Sequence, residues 1–196
     1  MVFKIIFSIF ICGFSLAHSQ PLPAQNWKQA FRDKDVIKQS LDYSCGAAAL
    51  ATLIHHYYLK DTSEQEIMEL MGKGNERTTF SELQEVLPKL GFKSAGFEVE
   101  WRALVALKTP VIVYINHFDE GHFAVLRGID DTHVWLADPS QGNRIYRKED
   151  FLKLWRQSEE KGFFLAVLPL QPDAARNTSY FSLPPQHFRS LGIFPG

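Results

Sequence analysis

Gln39-Ser-Leu-Asp-Tyr-Ser-Cys45-Gly-Ala-Ala-Ala-Leu50 is a polar lead-in that turns abruptly into an alanine-rich run. Alanine has the highest helix propensity, so a helix is predicted from Ser44 to about Tyr58. Ser44 or Asp42 is the expected N-cap. Cys45 then sits in the first turn, where free N–H groups and the helix dipole favour a thiolate over a thiol. Gly46 and the alanines are expected to leave room beside the sulfur for a substrate backbone. A further helix is predicted at about 63–71, opened by Ser63 and Glu66, and another at about 80–90, opened by Thr79 and Glu82 and ended by Gly91.

Beyond residue 91 the pattern changes. Residues 92–99, Val111–Ile115, His122–Ile129, His133–Asp138 and Phe163–Leu168 read as strands, with short helices at 101–107 and 147–156. Helices come first and an antiparallel sheet follows, which defines an α+β fold in one domain. Residues 20–37 read as an extended lead-in. The segment from 171 carries Pro172, Pro184, Pro185 and Pro195 and reads as an irregular tail.

The chain has 196 residues, a net charge of -1, 45% hydrophobic and 22% charged residues. That is the composition of one globular domain. Its charge gives no electrostatic reason to expect nucleic acid as a partner. Lys4, the apolar run Ile5–Leu16 and small residues at Ala17 and Ser19 form a signal-peptide pattern with cleavage after Ser19. The run is too short to span a bilayer, so the mature chain is expected in the periplasm or secreted, and not membrane-spanning. The expected organisation is therefore 1–19 signal peptide, 20–170 globular domain and 171–196 irregular tail. Cys12 leaves with the signal, and Cys45 becomes a lone cysteine outside the cytoplasm. It is a candidate reactive thiol, with a small buried hydrophobe as the other reading.

A thiolate needs a base, and the mature chain offers His55, His56, His117, His122, His133 and His187. His55 and His56 lie about 15 Å along the same helix from Cys45. His122 begins one strand and Asp138 ends the next. In a hairpin about Asp130 with an odd turn length the two stand opposite each other, with Cβ atoms about 5 Å apart. A one-residue slip in register would put them on opposite faces. An Asp in that place fixes the imidazole tautomer and steadies the imidazolium. Gln39, in the loop entering the helix, can lend a side-chain N–H to an oxyanion beside the backbone N–H of Cys45. Cys45, His117 and His122 also admit a zinc reading, but a fourth ligand at sensible spacing is missing.

Gln39, Cys45-Gly-Ala-Ala-Ala-Leu50, Gly121-His-Phe-Ala-Val-Leu126, Leu136-Ala-Asp-Pro139 and the segment Tyr146–Trp155 resemble the bacteriocin-processing, or double-glycine, cysteine peptidases over about residues 36–170. The resemblance implies a papain-like fold, its N-terminal helices packed on an antiparallel sheet, and cleavage of leader peptides after paired glycines. It implies Cys45 as nucleophile, His122 as base, Asp138 as orienting carboxylate and Gln39 as oxyanion donor, with no metal or cofactor. Ser44 departs from the Asp that often precedes the family's cysteine. No transporter domain follows, and with the export signal the chain looks like the stand-alone exported branch. Some members of that branch accompany secretion systems for extracellular amyloid, which implies an exported protein or peptide substrate and secretion-system components as partners. A papain-like acyl transferase and a non-catalytic peptide-binding module are the rival readings. Trp101, Trp135 and Trp155 read as core or groove-lining aromatics, Arg147-Lys148 as helix surface, and the sequon at Asn177 as incidental.

Overall fold

The alanine run forms a helix that is wholly inside the protein. In the computed structural model, which describes residues 25–184 apart from 73, 75, 118, 119, 157 and 159, every residue of α2 (Cys45–Thr52) is buried. The expected signal sequence and His187 lie outside the described residues. The helix continues as a π-helical turn over Leu53–Tyr57, closed by the Tyr58 N–H on the Leu53 carbonyl. Small side chains let α2 lie close to the sheet, while Leu50, Leu53 and Ile54 fill the space between.

Two further helices follow, α3 (Glu64–Met71) and α4 (Phe80–Val86). Ser63 caps α3 by accepting from the Glu66 N–H. At α4 the reciprocal box forms, with Thr79 accepting from the Glu82 N–H and Glu82 accepting from the Thr79 N–H. A 3₁₀ turn at Leu87–Leu90 ends at Gly91, whose φ of 84° is the left-handed conformation that glycine adopts without strain.

The sheet contains β1 (Phe92–Glu100), β2 (Val111–His117), β3 (Glu120–Ile129), β4 (His133–Asp138), β5 (Gly142–Arg147) and β6 (Lys161–Pro169). Their order is β1-β6-β2-β3-β4-β5, and the paired strands are antiparallel. A short α5 (Trp101–Val105) follows β1 and α6 (Lys148–Trp155) follows β5. Period-two alternation divides the core. Phe123 and Val125 pack with α2, α3 and α4. Ala124 and Leu126 pack with Phe151, Leu152 and Trp155 of α6. The sheet is thus covered on both faces, which is why its central strands read as nearly continuous apolar runs.

Two elements differ from the sequence expectation. Residues 25–32 form a helix, α1, rather than an extended lead-in. Trp27, Ala30 and Phe31 do fall at helical spacing, but a single short stripe in an otherwise polar, Pro-flanked segment is outweighed by its composition. Strand β5 was not foreseen, because Gly142, Asn143 and Arg144 look like loop. An edge strand tolerates such residues, having one ladder partner instead of two. After β6 the chain returns along the outside. The Asn177 N–H reaches the Tyr57 carbonyl and the Ser182 N–H reaches the Arg127 carbonyl, at 2.7 and 2.8 Å, and Tyr180 is buried between them.

Because α2 is held by apolar packing, Leu50→Ala should cost about 2–5 kcal/mol in urea unfolding of the protein. A loss below about 1 kcal/mol would contradict the burial described here.

Candidate active site

Cys45 is 5% exposed, at the first position of α2. Ser44 occupies the N-cap position but does not cap the helix. Its hydroxyl donates to the Leu41 carbonyl at 2.8 Å and accepts from the Leu41 N–H at 3.2 Å, and no side-chain cap bond forms. This corrects the capping expectation and has a chemical consequence, since the first-turn amides stay open to an anion. The backbone N–H groups of Gly46 and Phe123 are directed at the Cys45 sulfur. Burial pushes the thiol up, but the hydrogen bond and charge of His122, with these two amides, outweigh it and lower its pKa.

Gly46 has a different purpose from the one expected. A Cβ there would stand 2.6 Å from Thr78 Cγ2 and 3.2 Å from Phe123 Cδ2. The space beside the sulfur on that side is filled by the protein. Glycine lets the loop before α4 close against the start of α2.

His122 bridges the site. Its Nε2 donates to Asp138 Oδ1 at 2.9 Å, and the imidazole also hydrogen-bonds Cys45. With Nε2 taken, Nδ1 is the nitrogen left for the sulfur. Burial pulls the His122 pKa down, yet Asp138 and Cys45 together raise it to about 9. Asp138 has no exposed surface. Its Oδ1 accepts from Ser140 N, Ser140 Oγ and Gln141 N at 2.7, 2.7 and 3.0 Å. Burial raises the carboxyl, and the hydrogen bond and charge of His122 with the Ser140 and Gln141 donors overturn this, bringing it to about 2.

The pair does not meet as a directly opposed pair. Val125 pairs with Ala137, and continuing that register sets Asp138 across from Ala124, so His122 reaches it diagonally. The register also shifts between Leu126 and Gly128, leaving Arg127 as an extra residue in β3. Without that bulge Asp138 would stand across from Val125, on the face opposite His122.

Gln39 lies in the loop feeding α2 and is tied to the end of β4 by its N–H on the Pro139 carbonyl, at 3.0 Å. Its Nε2 donates one proton to the Leu41 carbonyl at 2.9 Å, leaving the second for another acceptor. The other histidines are used elsewhere. His55 lies 3.4 Å from Asp61, His56 stacks on Tyr180, and the His133 ring meets the Thr132 hydroxyl. The His117 side chain is not among the described residues. Among the described residues no cluster of His, Cys, Asp or Glu is suited to hold a metal ion, and no helix is long and apolar enough to cross a membrane.

Arg77 was missed in the sequence. It reaches Glu120 Oε2 at 2.5 Å and the Gly121 carbonyl at 3.3 Å, and its charge couples to Cys45. A single arginine in a polar loop carries no sequence signal. The Ser140 and Gln141 donors were missed too, although a serine two residues after an aspartate is a recognisable turn pattern.

Residues 33–158, well over half of the chain, match the family model described as the peptidase C39 family. The chain belongs to the peptidase C39 family. Two relatives are named "probable functional amyloid protease FapD". The one from Pseudomonas fluorescens is 28% identical over 70% of this chain and 62% of its own length. The one from Pseudomonas aeruginosa is 29% identical over 76% and 74%. The chain thus spans less than two thirds of the first of these. Among solved structures, a double glycine motif protease from an AMS/PCAT transporter, in complex with the leader peptide, superposes with a TM-score of 0.59. It is 26% identical over 68% of this chain and 90% of that one. The peptidase domain of Streptococcus ComA gives 0.60 at 24% identity, over 68% and 97%, and shows the same fold. The chain thus belongs to a family of peptidases, and its α+β fold is that of the papain-like C39 peptidase domains.

The shifted groups set a pH window. Asp138 is held below its ordinary 3.8, so its contribution to stability is present above 3.8 and lost as pH falls towards 2. His122 is held above 6.5, so its contribution is full below 6.5 and lost as pH rises through about 9. Asp138→Asn should therefore destabilise most between these windows, by about 1.5–3 kcal/mol, the range for a hydrogen bond to a charged group. In urea titrations its gap to the wild type should narrow towards pH 2. A gap that stays constant on the acid side would contradict the ionised pair.

Proposed function

We propose that the chain is an exported endopeptidase of the Cys-His-Asp type, acting on a secreted or outer-membrane protein and cutting after small residues, glycine foremost. The observation that carries this reading is His122, hydrogen-bonded at once to Cys45 and Asp138. A nucleophile, a base and an orienter in one line is the arrangement that acyl transfer requires.

The Cys45 thiolate attacks the peptide carbonyl carbon. The oxyanion is held by the Cys45 N–H at the uncapped end of α2 and by the second Nε2 proton of Gln39. His122 gives its Nδ1 proton to the leaving amine as the C–N bond breaks, leaving a thioester on Cys45. His122 then takes a proton from water, the hydroxide adds to the thioester carbonyl, and the acid product departs with return of the thiolate. Asp138 keeps Nε2 protonated throughout. No step needs a metal or cofactor.

The substrate class is supported by the relatives, a processing protease solved with its leader peptide and proteases named for functional amyloid. Export is supported by the signal-peptide pattern of residues 1–19. We infer that the partner is an exported polypeptide presented in extended form, with a secretion system supplying it.

The mature chain should cleave a synthetic peptide carrying a Gly-Gly junction after an amphipathic leader, read by mass spectrometry. Cys45→Ala should give no product. Gln39→Ala should lower kcat by about 10²–10³-fold, the usual cost of one oxyanion donor, with a smaller change in KM. Cleavage by Cys45→Ala at the wild-type rate would overturn the reading.

A further inference from the structure

The extra residue in β3 is not a surface accident. Arg127 is 4% exposed, and its guanidinium lies between two rings, 4.2 Å from the Trp135 centroid and 4.1 Å from that of Tyr180. Its Nη1 donates to Asn143 Oδ1 at 2.8 Å and to the Lys34 carbonyl at 3.3 Å. Nη2 lies 3.6 Å from Asp35 Oδ2. Its carbonyl accepts from the Ser182 N–H at 2.8 Å. The next residue is Gly128, where a Cβ would stand 2.6 Å from the Ser182 carbonyl oxygen. The glycine is there because the returning chain passes over the bulge at backbone distance. The bulge is thus gripped from the segment after α1, from β4 and β5, and from the C-terminal segment.

We propose that Arg127 is a positioning residue for the reaction, its clamp holding the β-bulge that turns Asp138 to the face of His122. This rests on the Cys45-His122-Asp138 reading above. The mechanism is geometric. Closing the bulge would slide β4 by one residue against β3, and a slip of one exchanges the two faces of a strand. That slip would require the guanidinium to leave its two rings and its Asn143 partner. A planar fork stacked on aromatics is a place where lysine does not replace arginine. Tyr180 and Ser182 lie outside the residues matched to the family, so part of the device that sets the catalytic register comes from the chain beyond that region.

The test uses the full mature chain with selectively labelled histidine, and follows the His122 ring by NMR titration alongside kcat/KM on the Gly-Gly peptide. Thermal unfolding serves as the fold control. The variants are Arg127→Met, Arg127→Lys and Ser182→Pro, the last removing the N–H that holds the Arg127 carbonyl and the hydroxyl bond to Ser179, at an exposed position outside the sheet that leaves the packing of Arg127 between its rings in place. In the wild type, His122 should titrate near 9. In the folded variants it should fall towards 6.5, with kcat/KM down about 10²-fold, the scale of a misplaced catalytic group. Arg127→Lys should not restore it. Folded variants that keep the wild-type His122 titration and activity would overturn the proposal while leaving the catalytic reading intact. An ordinary His122 in the wild type would instead sink the catalytic reading, and this proposal with it.

Discussion

Asp138 has no surface in contact with solvent, and a carboxylate in that position is expensive unless it is paired and hydrogen-bonded. Much of the site follows from how that demand is met at Oδ1, where all of its hydrogen bonds converge. The turn after β4 supplies the Ser140 and Gln141 donors. Strand β3 supplies an imidazole, which becomes more basic for being there. The hydrogen bond and charge of the imidazole in turn lower the pKa of Cys45, against the burial that would raise it. The chain of effects runs from a buried carboxylate through the imidazole to the thiol, and its first link is a hydrogen bond between oppositely charged partners.

The fold delivers these groups from separate layers. Cys45 comes from the helical side, at the one end of α2 whose amides Ser44 leaves open. His122 and Asp138 come from neighbouring strands of the sheet. Apolar packing on both sheet faces fixes how far α2 can stand from β3. Gly46 allows the loop before α4 to close on α2 where any side chain would meet Thr78. Precision therefore comes from packed elements rather than from loops, as positioned catalytic groups require.

Much of this was legible in the residues. The alanine run, the capping pairs at Ser63 and Thr79 and the β-branched strands announced a helical half followed by a sheet. Cys45 at a helix start, with His122 and Asp138 at the ends of consecutive strands, pointed to the three groups that the fold brings into hydrogen-bond contact. What stayed hidden depended on tertiary context. The bulge at Arg127 carries no local signature, because a one-residue shift shows only when both strands are seen. The hairpin turns past Asp131 rather than about Asp130, since Ile129 pairs with Val134, and the bulge brings the register back by one residue, so Asp138 lies two residues from the predicted direct opposition and meets His122 diagonally. The helix at 25–32 and the polar edge strand β5 draw their stability from the body they pack on, through groups such as Asn143, which donates to the carbonyls of Arg32 and Lys34.

The central claim is that Cys45 is a thiolate made by its neighbours, and the rate of its alkylation as a function of pH measures this directly. In the wild-type protein, reaction with iodoacetamide should follow an apparent pKa below the free-cysteine value of about 8.5, and His122→Ala should move the profile up. A slow reaction with an unshifted profile in the wild type would contradict the account and leave Cys45 as a buried structural cysteine.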